Sequence, residues 1–411
     1  MPEVKIITKN WGLIDPMSID SYIKKGGYRT LYSVLRNKQP RYVVEEIKMS
    51  GLRGRGGAGF YTGLKWEMAV KAKGRKKYFI CNLDESEPGT YKDRLIAENN
   101  PHLLLEGILI GAYAIGAREG FIYLNGSFHL AKRLLENALK QCYEKKILGK
   151  SIMGTTFDFD LKIFVGAGAY VCGEETALLN SLEGYRGEPR FKDVYPCEKG
   201  LFRQPTIVNN AETIANIPWI IKNGAEKFSK IGIKNSPGTK LYCLNGMLVK
   251  PGLFEAPLGI SIRELIFDYA GGMQPGFDLW FTQIGGSSGK LVLLPLLDRL
   301  VGYGDEKEIS IGQGSILVVH RGCDVKKLIL SWINFFQRES CGKCVPCREG
   351  TLRLKLMVER LVNGEFDKND AEDMRKIIWI LENATFCPLG KFAVMGLKDV
   401  IKYRLVEELN G

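Results

Sequence analysis

The sequence predicts an α/β protein: a mainly parallel sheet in the N-terminal half, a small α+β module after it, and a helical C-terminal part. Three observations predict it. Helix-like and strand-like segments alternate up to about residue 235, as in strands joined by helical crossovers. Between about 238 and 322, short β-type segments surround one short helical one. From Asp324 onward, apolar residues recur at three- and four-residue spacing, the period of a helix with one buried face. A chain of 411 residues has material for roughly two to four domains.

Taken in order, SIDSYIKK and YRTLYSVLR read as helices separated by Gly26 and Gly27, and RYVVEEIKM as a third after Pro40. A glycine-rich loop runs from Gly51 to Gly63. The helix LKWEMAVKA leads to the strand KYFICNL, and a long loop and an apolar helix lead to FIYLN. HLAKRLLENALKQCYEK leads to DLKIFVGAG, followed by the helix EETALLNSLEG. The apolar segment Leu103–Ala117 contains Glu106 and falls short of the ~18 residues of a membrane span, so it reads as a core helix. In the middle module, KLYCLNGMLVKPGLFEAPLG reads as two strands joined by a turn, SIRELIFDYAG as a short helix, and DLWFTQIGG and SILVVH as strands. LRLKLMVERLV and DAEDMRKIIWILEN are C-terminal helices, and no repeat or low-complexity segment interrupts the chain.

Composition, 45% hydrophobic and 25% charged, is that of a globular protein. The N-terminal MPEVKIITKN lacks the apolar stretch of a signal peptide, so a cytoplasmic location is expected. Ten cysteines in such a chain argue against a disulfide framework. Cys81, Cys142, Cys172, Cys197, Cys243 and Cys323 are scattered and read as small buried hydrophobes. A net charge of +12 suits an anionic cofactor, an acidic protein partner or nucleic acid. The basic residues are dispersed, and their densest cluster, KAKGRKK at 71–77, reads as a solvated loop.

SCGKCVPC places Cys341, Cys344 and Cys347 in a C-x-x-C-x-x-C run. So compact a run suits three corners of one polynuclear centre. A fourth ligand is available downstream in Cys387, followed by a proline as at other iron–sulfur sites. The two helical segments between them form an antiparallel hairpin that returns Cys387 to the first three. The rival is a four-cysteine zinc site, which more often uses two separated C-x-x-C pairs; the 3+1 division favours [4Fe–4S]. Lys343, Arg348 and Lys391 lie close in sequence, either to tune the cluster's charge or as solvated side chains.

The loop GLRGRGGAGFYTGLKW nominally contains G-x-G-x-x-G at Gly54, Gly56 and Gly59. A helix-like segment precedes it where a dinucleotide fingerprint requires a strand. Its glycines still allow close backbone approach, and with Arg55 and Lys65 it suits an anion or a flat ring. NLDESEPGTYKDR follows a strand and carries Asp84, Glu85, Glu87 and Asp93, where open sheets bind ligands. An ordinary acidic surface loop is the alternative. GAGAYVCGEET repeats the pattern with Gly166, Gly168, Gly173, Glu174 and Glu175; the two glutamates also suit a helix N-terminus. PTIVNNAET adds Asn209 and Asn210 before a helix, where asparagine is also a common cap.

Together, and in this order, GLRGRGGAGF-TGLKW, NLDESEPGTYKDR, GAYVCGEETALLNSLEG, PTIVNNAET, SCGKCVPCREGT and CPLG resemble the NADH-binding flavoprotein subunit of respiratory complex I, over nearly the whole chain. The family also supplies flavin subunits to NAD-linked hydrogenases and formate dehydrogenases, many with extra ferredoxin-like domains. The resemblance implies an FMN-binding, Rossmann-like domain over 1–237, a β-grasp-like domain over 238–322 and a helical [4Fe–4S] domain over 323–411. It implies that Gly54, Arg55, Gly56, Gly57, Lys65, Asn82, Asp84, Tyr170, Gly173, Glu174, Val208, Asn209 and Asn210 surround FMN. Phe60, Glu85, Glu87, Glu175, Lys192 and Tyr195 would face NADH, the aromatics near adenine, and Cys341, Cys344, Cys347 and Cys387 would hold the cluster. The family commonly reads GAGFPTG where this chain has Tyr61, and KPPFP where it has KDVYP; both departures lie at the expected adenine.

The implied activity is that of an NADH:quinone oxidoreductase flavoprotein subunit. A flavin is the adapter between a two-electron hydride donor and a one-electron cluster, with the protein supplying orientation and electrostatics. The implied partners are a small [2Fe–2S] thioredoxin-like subunit and a larger iron–sulfur subunit, with no nucleic acid and no direct membrane contact. The implied place is cytoplasmic, at the membrane periphery through the assembled complex. Two other readings are a flavin subunit of a soluble hydrogenase or formate dehydrogenase, and a zinc-stapled binding protein without redox activity.

Overall fold

The computed structural model describes residues 4–191, 193–303 and 308–410. Three helices open the chain: α1 (Ile19–Lys24), α2 (Arg29–Asn37) and α3 (Pro40–Met49). The α/β part follows as α4 (Thr62–Lys71), β1 (Tyr78–Leu83), α5 (Lys92–Asn99), α6 (Pro101–Ile115), β2 (Glu119–Asn125), α7 (His129–Glu144), β3 (Asp160–Gly166), α8 (Glu175–Leu182), β4 (Thr206–Asn210) and α9 (Ala211–Asn223).

The four strands form one parallel sheet in the order β3-β2-β1-β4. Its direction of growth reverses beside β1, so the crevice between β1 and β4 is a topological switch point, where open parallel sheets place ligands. At that crevice, Asn82 on β1 is the register partner of Asn210 on β4. Alternate residues of β1 serve opposite faces, as the pleat requires: Phe79 and Cys81 join the core under the helices, and Tyr78 and Ile80 join a separate apolar group.

The apolar helix α6 is capped by Asn100, whose side chain accepts from Leu103 N at 3.1 Å, and it ends on Gly116 at φ 74°, as left-handed C-caps do. Its buried Glu106 is satisfied by the Tyr22 hydroxyl at 2.6 Å and the backbone amides of Tyr28 and Leu31. The carboxylate within this run thus ties α6 to the N-terminal helices. No helix among the described residues is long and apolar enough to cross a membrane.

The middle module is a five-stranded mixed sheet of β5 (Thr239–Gly246), β6 (Gly252–Pro257), β7 (Leu279–Ile284), β8 (Lys290–Leu293) and β9 (Ser315–His320). Its order is β8-β7-β9-β5-β6, with β9 and β5 parallel and the other pairs antiparallel. The helical part comprises α10 (Val325–Glu339), α11 (Val345–Asn363), α12 (Lys368–Ala384), α13 (Pro388–Ala393) and α14 (Met395–Lys402). Its core, with Trp332, Leu354 and Leu381, takes in Phe281 and Leu291 of the second sheet. The separate apolar group runs from Tyr78, Ile80 and Tyr123 of the parallel sheet to Phe336, Cys347 and Leu389 of the helical end. Each fully buried side chain of this size contributes roughly 1.5–3 kcal/mol, so the three parts are welded together along these contacts.

The structure differs from expectation at four places. The long loop after β1 contains α5, whose first-turn amides of Asp93 and Arg94 are taken by the Glu85 carboxylate. PTIVNNAET contributes strand β4, and KLVL contributes β8. SIRELIFDYAG is one α-turn continued as a π-turn over Leu265–Tyr269.

Candidate functional site

A cleft of about 920 Å³ opens at the C-terminal edge of the parallel sheet. That volume lies within the range of small-molecule sites, about 300–1,000 Å³. The glycine loop supplies Gly54, Gly56, Gly57 and Phe60, and α4 supplies Lys65. Asn82 and Asp84 come from the end of β1, Tyr170, Gly173, Glu174 and Glu175 from the loop after β3, and Val208, Asn209 and Asn210 from β4; Tyr195 joins from a short turn.

Each wall is fixed by identifiable contacts. A Cβ on Gly56 would stand 3.0 Å from Asn210 Cβ, so glycine at position 56 lets the loop lie against β4 without displacing that side chain. Asn209 is oriented by Trp66, whose indole N–H donates to its Oδ1 at 2.8 Å. The Asn210 side chain caps α9 by accepting from Glu212 N at 3.0 Å. Lys65 Nζ lies 2.6 Å from Glu175 Oε2 and donates to Val208 O at 2.9 Å, which holds a cation at the cleft wall. Glu174 caps α8, accepting from the amides of Thr176 and Ala177.

Three predicted residues are placed elsewhere. The fully buried Arg55 side chain donates to Thr239 O, Pro237 O and Arg53 O; it braces the loop from behind and does not face the cleft. Glu85 is buried at the N-terminus of α5, as described above. Glu87 stands behind the wall, accepting from the Tyr170 hydroxyl at 2.8 Å and the Ser288 hydroxyl at 2.9 Å; both of those donors line the cleft. Lys192 lies outside the described residues.

Asp93 of the acidic loop and Thr62 of the glycine loop also line the cleft, while Gln313 and the turn residues Gly285, Ser288, Gly289 and Lys290 reach it without a motif that assigns them to it. The turn had a signal, the glycine-rich IGGSSGK after a strand. A Cβ on Gly286 would fall 2.4 Å from Glu87, so glycine there lets Ser288 reach that carboxylate.

The cysteines converge at the other end of the cleft. Cys344 and Cys387 are the N-cap residues of α11 and α13, each followed within two residues by a proline in the first helical turn. The hairpin α11–α12 returns the chain so that Cys341, Cys344, Cys347 and Cys387 share one apolar group. Helix N-termini favour negative charge, which suits thiolate ligands. Burial, then the neighbouring cysteines, pushes the thiols of Cys347 and Cys387 up to about 11. Among the described residues no group of three or more His, Cys, Asp or Glu side chains is gathered to hold a single metal ion. Lys343 donates to Pro189 O at 2.7 Å, pairs with Glu188 at 3.2 Å and lies over the Phe386 ring, 4.8 Å from its centroid. Arg348 donates to Gly342 O at 2.8 Å; Lys391 is exposed.

Cys387 belongs to the four-thiol group and also lines the cleft, together with Pro388, Leu389 and Phe392. Tyr170 packs edge-on against Phe335 of α10, with ring centroids 5.1 Å apart. The ligand cleft and the thiol group therefore share a wall.

The residues present fit a flavin. Asp84 Oδ2 and Thr62 Oγ1 are buried at the cleft without a partner among the described residues, and buried polar atoms seek one. A Cβ on Gly173 would meet nothing closer than Asp84 O at 3.9 Å, and one on Gly54 nothing closer than Phe60 O at 3.6 Å, so the glycines leave a cradle. Burial, opposed by Ser86 and Asn125, raises the Asp84 carboxyl to about 6.

Burial, reinforced by Asp93, likewise raises Glu85 from 4.5 to about 7. A carboxyl with a raised folded-state pKa binds protons more tightly when folded, so its contribution to stability falls as pH rises through that window. The variant Glu85→Gln should therefore match wild type near pH 4.5 and gain melting temperature relative to it up to about pH 7. Thermal unfolding across that range checks this, and a constant difference would contradict it.

Two family models match the chain: the Nuo51 FMN-binding domain over residues 47–219 and the NADH-ubiquinone oxidoreductase-F iron-sulfur binding region over 327–405. An NADH-quinone oxidoreductase F-type subunit of Rhizobium meliloti (strain 1021), the one numbered 2 there, is 43% identical, covering 97% of this chain and 95% of its own. The corresponding F-type subunit of Escherichia coli (strain K12) is 41% identical, over 98% of this chain and 92% of its own. The NADP-reducing hydrogenase subunit HndC of Solidesulfovibrio fructosivorans is 43% identical over 95% and 79%. A crystal structure of NAD+-reducing [NiFe]-hydrogenase in the air-oxidized state superposes with a TM-score of 0.85 at 30% identity, covering 99% of this chain and 67% of that one.

Proposed function

The chain belongs to the family of NADH-quinone oxidoreductase F-type subunits, and from that premise we propose how its cleft carries out the family's electron-input reaction. It is the NADH-oxidising flavoprotein subunit, with FMN, NADH and one [4Fe–4S] cluster. FMN, when bound, supplies the exchange between hydride from NADH and single electrons for the cluster.

The chain's own residues do the rest. Asn82, Asn209 and Asn210 stand at the switch point with their amides oriented by Gly173 O, Trp66 and Asp93, and Asp84 Oδ2 offers an acceptor to a cofactor N–H or O–H. Lys65, held by Glu175 and Val208 O, supplies positive charge for an anionic cofactor. Phe60 and Tyr195, 54% and 60% exposed, give flat faces for the nucleotide's ring at the mouth. Glu87 acts through Tyr170 and Ser288, fixing their hydroxyls in the wall that the nucleotide meets. Cys341, Cys344, Cys347 and Cys387 hold the cluster. The same reading assigns residues 1–237 to FMN and NADH, 238–322 to a β-grasp-like domain and 323–411 to the cluster. No side-chain nucleophile is required, since positioning and electrostatics carry the catalysis.

The observation that carries this reading is the position of Cys387 in the wall of the glycine-loop cleft. The purified chain should therefore reduce ferricyanide with NADH; flavin-replete, iron-replete protein inert to NADH would overturn it. Glu175→Gln should raise KM for NADH about tenfold, roughly 1.4 kcal/mol, with FMN retained. Loss of FMN in that variant would move Glu175 out of the nucleotide subsite.

The protein works as one subunit of a larger complex. We assign its contacts to a small [2Fe–2S] thioredoxin-like subunit and a larger iron–sulfur subunit, and its place to the cytoplasmic membrane's periphery through them. Val345, Trp379 and Phe386 of the helical end are exposed, at 59%, 65% and 40%, and are the residues offered to such a partner. The 43% identity to HndC favours a second reading, a hydrogenase-type assembly built on the same cleft; the subunits that co-purify distinguish the two.

A further inference from the structure

Beneath the cleft runs a continuous chain of buried polar contacts with both ends in the cleft wall. It begins at Asn210, whose Nδ2 donates to Asp93 Oδ2 at 2.7 Å. Asp93 Oδ2 also takes Lys92 Nζ at 2.7 Å, and Lys92 Nζ lies 3.0 Å from Glu212 Oε2. Glu212 pairs with Lys240, and Lys240 Nζ donates to Gln313 O at 3.0 Å. Lys92, Glu212 and Lys240 are fully buried. Asn210 and Gln313 both line the cleft, whereas Lys92, Glu212 and Lys240 do not.

The glycine loop rests on the two ends. Gly56 lies against Asn210, and a Cβ on Gly57 would stand 3.5 Å from Gln313 Cγ. The chain of contacts also crosses between the two sheets. Lys92 and Asp93 lie on α5 and Glu212 on α9, while Lys240 lies on β5 and Gln313 just before β9. Ion pairs excluded from water cost desolvation, and apolar packing of the same volume usually stabilises a fold as well or better. Four buried charges are therefore a poor device for stability alone. They are a good device for holding two posts at a fixed spacing and a fixed potential.

We propose that this buried ionic arch positions the glycine loop and sets the electrostatic potential of the cofactor cleft, with Lys240 and Glu212 as positioning residues of opposite sign. The inference rests on the reading that FMN occupies this cleft. FMN carries an anionic phosphate, and reduction adds negative charge, so the sign of the arch is felt in both affinity and potential. Removing the Lys240 cation disfavours the cofactor and its reduced form; removing the Glu212 anion favours the reduced form.

The test measures FMN dissociation from reconstituted protein and the flavin midpoint potential by spectroelectrochemistry in the full chain. The cluster's EPR spectrum reports on the fold. Lys240→Met should weaken FMN binding at least about tenfold and lower the flavin potential. Glu212→Gln, nearly isosteric, should raise the potential, and the cluster spectrum should stay as in wild type. Unchanged potentials in both variants, or shifts of the same sign, overturn the proposal, because a purely structural arch has no reason to distinguish the two signs. If Lys240→Met does not accumulate, Glu212→Gln decides alone: an unchanged or lowered potential overturns it. Gly173→Leu serves as the control for the cleft itself. If that variant keeps FMN, the cofactor placement falls; if it loses FMN while the arch variants behave as wild type, the arch proposal alone falls.

Discussion

Replacing Cys387 with alanine is expected to remove the cluster from the protein while leaving flavin chemistry in place. Cys387 is one of four thiols in a single apolar group and the N-cap of α13. A cube held by three thiolates keeps one iron without a protein ligand, and such clusters lose iron or disassemble. Because Cys387 comes from beyond the α11–α12 hairpin, its loss also frees the short helix that closes the thiol end of the cleft. The expected result is iron near background, no EPR signal after dithionite, and flavin absorbance that NADH still bleaches. Retention of a wild-type signal would remove Cys387 from the ligand set. Loss of flavin as well would show that the shared wall is needed for both cofactors.

Gly173→Leu should have the second largest effect. Gly173 lines the cleft, and its would-be Cβ meets only Asp84 O at 3.9 Å. Its φ is not in the left-handed region, so a Cβ there is neither strained nor in a clash with the fold. It projects into the space the cofactor needs. FMN affinity should fall by more than about 100-fold, roughly 2.7 kcal/mol, with melting temperature little changed. A variant that purifies yellow would contradict the placement of FMN. This contrast between lost cofactor and retained fold sets it apart from substitutions at Gly56 or Gly286, where the new Cβ would crowd Asn210 or Glu87.

How much of this was legible in sequence depends on how local each cause is. The proposed thiol ligands could be picked out because C-x-x-C-x-x-C is chemistry written in spacing. The hairpin that returns Cys387 follows from the helical periodicity of its two arms. The glycine loop and the ends of the parallel strands were legible because glycine and strand-end residues declare close approach and ligand edges. The direction of the Arg55 side chain was not legible, because its position in the loop says nothing about direction; the carbonyls of Pro237 and Thr239, far along the chain, turn it inward. The direction of Glu85 was hidden for the same reason, its oxygens being claimed by the first turn of α5. That helix was itself hidden, since KDRLIAEN has little apolar periodicity and takes its cap from a distant carboxylate. The arch was not legible at all. Nothing local marks Lys240, on a strand, as the partner of Glu212, on a helix.

One cleft, on this reading, receives NADH and delivers its electrons through the wall formed by Cys387. The most direct measurement is an anaerobic titration of the as-purified protein with NADH, following visible absorbance and EPR on the same samples. Flavin bands and a broad iron–sulfur absorbance should both bleach, with a reduced-cluster EPR signal appearing on NADH alone. Flavin that bleaches while the cluster stays oxidised, or a colourless protein containing zinc, would contradict it.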